Sequence, residues 1–374
     1  MRTRRGACYS CHAAAGDAPE AHRRKRGRTA HEGSPAAAGG GRAAGLGDMF
    51  EELPDDLVVS ILADVAASAG SPADLAGAML TCKRFRELGQ SKVVLSKASP
   101  RCLAVPAKAW SDDAHRFLQR CADAGNLEAC YLLGMIRFYC LGSRGSGAAL
   151  MAAAAVGGHR DALYSLAVIQ FNGSGGSKDD RDLRAGAALC ARAASLGHVD
   201  ALRELGHCLQ DGYGVRRSVV DGRRLLIQAN ARELAASASL LIRSASARRH
   251  ACLLSDFGCR AAAGATGEAA THAANRFLVD WFAARPLGGA AAGAGTTASE
   301  VGEDDASGGG LRLCSQALCG RPETRRHEFR RCSVCGVVNY CSRACQALHW
   351  KMAHKAECTP MDRWLDAAAP AAAP

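Results

Sequence analysis

Apolar positions recur at helical spacing along most of the chain. From Asp48, the segment DMFEELPDDLVVSIL sets Leu53, Leu57, Ile61 and Leu62 at helical spacing. Pro54 suits a helix start, and Asp55 and Asp56 then sit in the first turn, where carboxylates meet the positive end of the helix dipole. The stretch AASAGSPAD reads as a long loop. DLAGAMLTCKRFREL follows as a second amphipathic helix through Leu75, Met79, Leu80 and Phe85, and KVVLSKAS closes the segment. Much further on, HAANRFLVDWFAARP gives a helix from His272 whose Phe277, Leu278 and Trp281 form one apolar stripe ended by Pro286, a helix suited to packing against neighbours.

Between these elements the pattern repeats. NLEACYLLG from Asn126, HRDALYSLA from His159 and HVDALRELG from His198 align without gaps on Ala129, Ala162 and Ala201. The segments before them align too, with Leu150 matching Leu189 and Gly158 matching Gly197. Each unit is therefore a pair of helices joined by a glycine-rich loop such as DGYGVRRS. Leu133, Leu166 and Leu205 share one position, and Gly134, Ala167 and Gly206 fall where two helices approach closely. One such pair cannot bury its apolar face alone, so the pairs must stack. With a half-unit from about Ala114, residues 114–235 form a short solenoid with a concave face suited to a peptide. The bland alternative is an array that only spaces its two ends.

Composition sharpens this picture. Of 374 residues 48% are hydrophobic but only 5% aromatic, so closely packed small helices fit better than a thick sandwich. The chain is expected to be mainly α. Residues 1–47 read as a disordered basic tail, because EGSPAAAGGGRAAGLG at 32–47 buries too little to offset its ordering entropy. Residues 236–286 read as a helical extension with a flexible interior, 287–310 as a linker with an acidic patch at Glu303, Asp304 and Asp305, and 359–374 as a tail.

The formal charge of +11 is concentrated in the tail, at Arg2, Arg4, Arg5 and the run from Arg23 to Arg28, and in the cluster Arg321, Arg325, Arg326, Arg330 and Arg331. That distribution argues against a nucleic-acid surface. The run RRKRGR reads as a nuclear import signal or as a solvated tail, which gives a nuclear or cytoplasmic expectation. The N-terminus lacks the apolar run of a secretory signal, and the longest nearly uncharged apolar stretch, Ala148 to Gly158, is too short to span a bilayer. With no membrane and a reducing compartment expected, the 18 cysteines read as thiols and metal ligands. Cys8 and Cys11 form only a lone pair.

The C-terminal motif carries the chemistry: Cys314, Cys319, Cys332, Cys335, Cys341, Cys345, His354 and Cys358. Eight soft donors in four pairs are what two closed tetrahedral zinc sites require, and a closed shell leaves no position for a reacting water. His349 is a rival to His354. The ending YCSRACQALHWKMAHKAEC, with Tyr340, Gln346, Trp350 and His354 in register, resembles the MYND-type finger at 314–358. That resemblance implies interleaved pairs: Cys314, Cys319, Cys341 and Cys345 in one site, and Cys332, Cys335, His354 and Cys358 in the other. It also implies two structural zinc ions and a groove for proline-containing peptides beside Tyr340, Gln346 and Trp350. Trp350 could equally pack the finger's interior. A RING finger's C-x₂-C opening and Cys-x-His middle are absent.

LPDDLV, LTCKRF and VVL at 48–99 resemble the F-box, a three-helix module that docks on the Skp adaptor and through it on a cullin. The resemblance puts Leu53, Pro54, Leu57, Ile61 and Leu62 at that interface; otherwise they are the core of a small helical domain. The helical pairs resemble Sel-like repeats, relatives of tetratricopeptide pairs. In this order the three modules resemble a plant family of F-box proteins. The implied function is a non-catalytic substrate receptor of an SCF-type ubiquitin ligase, with repeats or finger binding the target protein. The alternative is a nuclear scaffold or co-regulator working through the finger independently of ubiquitin. A finger-bearing methyltransferase would need a cofactor domain where the repeats lie.

Overall fold

The computed structural model describes residues 52–243, 271–285, 287 and 310–360, with side chains of the long helix that ends at Arg243 described as far as Ala235. The basic tail with Cys8, Cys11 and the arginine run, the interior at 244–270, the linker at 288–309 and the tail from 361 lie outside the described residues. Within the described residues the chain is helical up to the finger, in the order α1 (Asp55–Ser68), α2 (Pro72–Leu80), α3 (Lys83–Leu88), α4 (Lys92–Lys97), α5 (Pro100–Leu103), α6 (Asp112–Asp123), α7 (Leu127–Tyr139), α8 (Arg144–Val156), α9 (Arg160–Asn172), α10 (Leu183–Ser195), α11 (Val199–Asp211), α12 (Val219–Arg243) and α13 (Ala273–Ala284).

The first module departs from the sequence reading at both of its joints. The alanine-rich end of α1 keeps the helix running to Ser68, and a capping box starts α2 at once. Ser71 Oγ lies 2.9 Å from Asp74 Oδ1, the Ser71 amide donates to Asp74 Oδ2 at 3.2 Å, and Pro72 takes the first helical position. The expected long loop shrinks to three residues. The expected second helix, in turn, is two. Thr81 Oγ1 donates to the Ala78 carbonyl at 2.8 Å and Cys82 is extended, its Sγ accepting from the Phe85 amide as the cap of α3. A hydroxyl that competes for a helix carbonyl ends α2 there. Leu80 is left 70% exposed. Val58, Leu62, Leu75, Val94 and Leu95 make the core of the module, with α1 laid across α4.

The solenoid runs on from that core. The Asn126 Nδ2 amide donates to the carbonyls of Leu95, Ser96 and Ala98, while its Oδ1 accepts from the Ala129 amide to cap α7. His159 and His198 stand at the equivalent positions and cap α9 and α11 through Nδ1, each at 3.2 Å. The other ring nitrogen of each reaches the carboxylate on the preceding first helix, His159 to Glu128 at 3.0 Å and His198 to Asp161 at 3.4 Å. One residue thus starts a helix and fixes its register on the repeat before it. At the crossing of α11 and α12, Gly206 and Gly222 let backbones touch: a Cβ on Gly222 would lie 2.6 Å from the Gly206 carbonyl oxygen.

α7 and α9 are buried on nearly every side, which a two-layer array alone does not explain. Their partners on one side are the second helices of each pair, and α7 also meets α13, whose Phe277 takes Trp110 edge-on at 5.3 Å. On the remaining side lies the C-terminal finger.

Candidate metal centres and their mount on the repeats

The finger is folded by turns rather than by a core. Strands β1 (Arg330–Arg331) and β2 (Asn339–Tyr340) pair antiparallel, α14 (Arg343–His349) follows, and a π turn over Trp350–His354 leads into a last turn at Lys355–Glu357. Gly320 and Gly336 take positive φ just after Cys319 and Cys335, the conformation that turns a chain back over its own ligand pair. At Gly320 the close approach is also external, because a Cβ there would lie 2.6 Å from the Val279 amide nitrogen of α13.

The eight donors gather into two clusters. Cys314, Cys319, Cys341 and Cys345 bring their sulfurs within 4.8 Å of one another, and so do Cys332, Cys335, Cys358 and the His354 imidazole. Separations of 3.6 Å for Cys319–Cys341, 3.5 Å for Cys341–Cys345, 3.9 Å for Cys332–Cys358 and 3.5 Å for Cys335 to His354 Nε2 are far beyond a disulfide bond. A zinc ion about 2.3 Å from each of four sulfurs would set them about 3.8 Å apart. The donor chemistry and spacing fit two structural zinc ions, with first and third pairs sharing one and second and fourth the other. His349 is otherwise engaged, its Nδ1 3.0 Å from the Tyr340 hydroxyl.

A third group, Glu128, His159 and His272, also holds three donor atoms within 4.8 Å. Its hydrogen bonding rules out a zinc set. His159 Nδ1 accepts from the Ala162 amide and His272 Nδ1 from the Ala274 amide, so the proton of each neutral ring sits on Nε2, the atom that faces Glu128 at 3.0 and 2.8 Å. With the proton there, Nε2 of either ring has no lone pair for a metal.

The finger sits on α7, α9, α11 and α12. Tyr164 donates to Ser342 Oγ at 3.1 Å, Asn172 Nδ2 to the Cys341 carbonyl at 2.8 Å, and the Ala344 amide to Glu204 Oε2 at 3.0 Å. Arg325 donates to the carbonyls of Asn172, Gly173 and Gly176, and Lys351 reaches Asn230 and Glu233, each at 2.9 Å. Burial pushes the Glu204 carboxyl above its usual range, an effect that Arg330 and the Ala344 amide reduce. The face read from sequence as an open peptide groove is therefore covered by the chain's own finger. Sequence reasoning missed Tyr164, Ser165 and Glu204 as interface residues. The available signal was polarity at aligned repeat positions, where Leu132, Ser165 and Glu204 correspond.

The proposed partner-binding residues separate. Leu57 and Ile61, one turn apart on α1, are 49% and 41% exposed, and Pro54 is exposed while Leu53 is partly covered. Leu62 is a correction: it faces the core of the module and is shut off from solvent. Tyr340 is corrected likewise, being buried between the two metal clusters with its hydroxyl on His349. Gln346 and Trp350 are partly exposed, and the Trp350 ring meets the His354 imidazole edge-on at 5.8 Å.

Comparison with known proteins accords with this architecture. Residues 314–358 match the MYND finger model and residues 102–185 the model for plant tetratrico peptide repeats. F-box protein At1g67340 of Arabidopsis thaliana is 59% identical over 335 residues, covering 85% of this chain and 83% of its own, and F-box protein At5g50450 is 56% identical over 87% of this chain and 89% of its own. The chain belongs to this plant family of F-box proteins with helical repeats and a MYND finger. Among solved structures, a Sel1 repeat protein from Oxalobacter formigenes aligns with 45% of this F-box protein and 73% of its own chain, at 16% identity and a TM-score of 0.34. Among the described residues of the F-box protein no helix is long and apolar enough to cross a membrane.

Proposed function

We propose that the protein is a substrate receptor of an SCF-type ubiquitin ligase. Its F-box module, α1–α4, would dock on a Skp-type adaptor and through it on a cullin, and its finger-bearing solenoid would capture the target protein. The chain itself would perform no chemistry. The observation that carries this reading is the pair Leu57 and Ile61, large apolar side chains left in solvent on a helix whose other face, through Val58, Leu62 and Ala66, is fully packed. Apolar anchors held on a rigid helix beside the charged Asp55 and Asp56 have the make-up of an interface centre with a polar rim. The family membership supports the same partner. For the target, the partly exposed Gln346 and Trp350 favour a proline-containing peptide at the finger over one in the solenoid, whose inner helices are covered. A nuclear site of action would require the basic run at 23–28 to serve in import.

The test uses the full chain. Tagged protein is expected to retain a Skp-type adaptor from a purified mixture, and Leu57→Asp with Ile61→Asp is expected to abolish retention while circular dichroism stays unchanged. Absence of adaptor binding by the unaltered protein would refute the reading.

A further inference from the structure

Arg321 lies between the first metal cluster and the repeats, and its surroundings are unusual. The side chain is only 3% exposed. Nη2 donates to Ser165 Oγ on α9 at 2.9 Å, Nη1 points to Cys319 Sγ at 3.6 Å, and Nε is buried with no partner. Ser165 Oγ in turn lies 3.1 Å from the Tyr131 hydroxyl on α7. Among the described residues no carboxylate pairs with the guanidinium. A buried arginine without a counter-charge costs several kcal/mol, so the anion must be supplied by the cluster itself.

Charge counting identifies that anion. Four thiolates around one divalent ion leave a net charge of about −2, and three thiolates with an imidazole leave about −1. The cluster with the larger excess is the one Arg321 touches. Ser165 orients the cation from the solenoid side, and its position is set by the Tyr131 contact. The geometry points to Arg321 as the buried counter-ion of the all-thiolate zinc site, held in a socket built by α7 and α9, so that loading this site and seating the finger on the repeats are one linked event. The second cluster, which no solenoid side chain approaches among the contacts described, is outside that linkage. By reciprocity, metal at the first site tightens the seat and the seat tightens metal by the same factor. The inference rests on the zinc fit and is independent of adaptor docking.

Cobalt(II) substitution in the full-length protein reads the two sites separately, because thiolate-to-metal charge-transfer intensity differs between four-sulfur and three-sulfur sites. Arg321→Met removes the charge at similar volume, and Arg321→Lys keeps it. In the Met variant the four-sulfur site is expected to weaken by tenfold or more and the mixed site by less than about twofold, the size of effect seen when residues that support metal ligands are replaced. The Lys variant should recover most of the loss. Equal weakening at both sites, or none at either, would overturn the proposal. If the Met variant fails to fold, the unaltered protein decides: chelation should speed hydrogen exchange in α9 and α11, and unchanged protection there would overturn the linkage.

Discussion

The two ends of the described chain treat their side chains in opposite ways. The F-box module leaves apolar groups in water, with Leu57, Ile61, Leu80 and Val93 all substantially exposed around a small packed core. The junction of finger and solenoid does the reverse and takes polar groups out of water: Ser165, Glu204 and Arg321 are nearly sealed. Exposed apolar surface has a standing free-energy gain waiting in a partner, at about 25 cal/mol per Å². Buried polar surface has none, since it is tolerable only when its hydrogen bonds are already made. At the F-box module, burial of that apolar surface would need a further chain, whereas at the junction of finger and solenoid the burial is already made within this one.

Metal removal should break this contrast most severely. Apart from the ligands, the finger buries few large apolar side chains, chiefly Phe329 and Tyr340, too little to hold its fold. Structural zinc in such fingers contributes roughly 10–16 kcal/mol. Chelation is therefore expected to unfold residues 310–360, seen as loss of protection in hydrogen exchange, while adaptor binding by α1–α4 persists. Loss of both together would show that the two ends are one cooperative unit. Next in size is the apolar end. Leu57→Ala with Ile61→Ala should weaken adaptor binding by about 2–4 kcal/mol, the range of interface anchors, with little change in melting temperature because neither side chain is in the core. Calorimetric titration against the adaptor measures it.

The caps on the repeats test a third level. Burial alone would raise the Glu128 carboxyl, but hydrogen bonds from His159 and His272 outweigh it and hold the group at about 2, below its ordinary 4.5. An acid depressed by folding adds stability above its unfolded value and loses it as the pH falls toward the folded one. Thermal stability of the repeats should decline between pH 4.5 and about 2, with Asp161, depressed by His198 against its own burial, acting in the same direction. Glu128→Gln should cost roughly 1–3 kcal/mol at neutral pH and flatten part of that decline. A melting series across pH checks both.

Legibility in the sequence followed the range of the interactions. The ligand set was readable because thiolate pairs are local and zinc chemistry restricts their number. The repeats were readable because Ala129, Ala162 and Ala201 return in a common frame, and the helix pairs follow from it. What failed was tertiary. Leu62 and Tyr340 look like surface candidates in one dimension, and only the packing of α1 on α4 and the placement of β2 between the metal clusters bury them. The arginines from Arg321 to Arg331 stand out in sequence only as a concentration of charge, yet Arg321 is buried and Arg325 grips loop carbonyls after α9. Nothing in a run of arginines says which of them another helix will cover. The short joint between α1 and α2 was missed for a local reason: a capping box at Ser71 and Asp74 was read as loop composition.

The smallest expected effect bears on where the junction of finger and solenoid draws its strength. Lys351 spans to Asn230 and Glu233 at the rim of the junction, with both charged side chains partly exposed. Exposed pairs of this kind contribute little, because water screens them and two long side chains must be ordered. Glu233 also has a better partner in Arg203, which is buried. Lys351→Met should therefore cost less than about 1 kcal/mol in a melt and leave metal content at both sites unchanged. A larger loss would mean that the finger is held by its rim, and the buried contacts of Ser165, Glu204 and Arg321 would then be consequences of docking and not its cause.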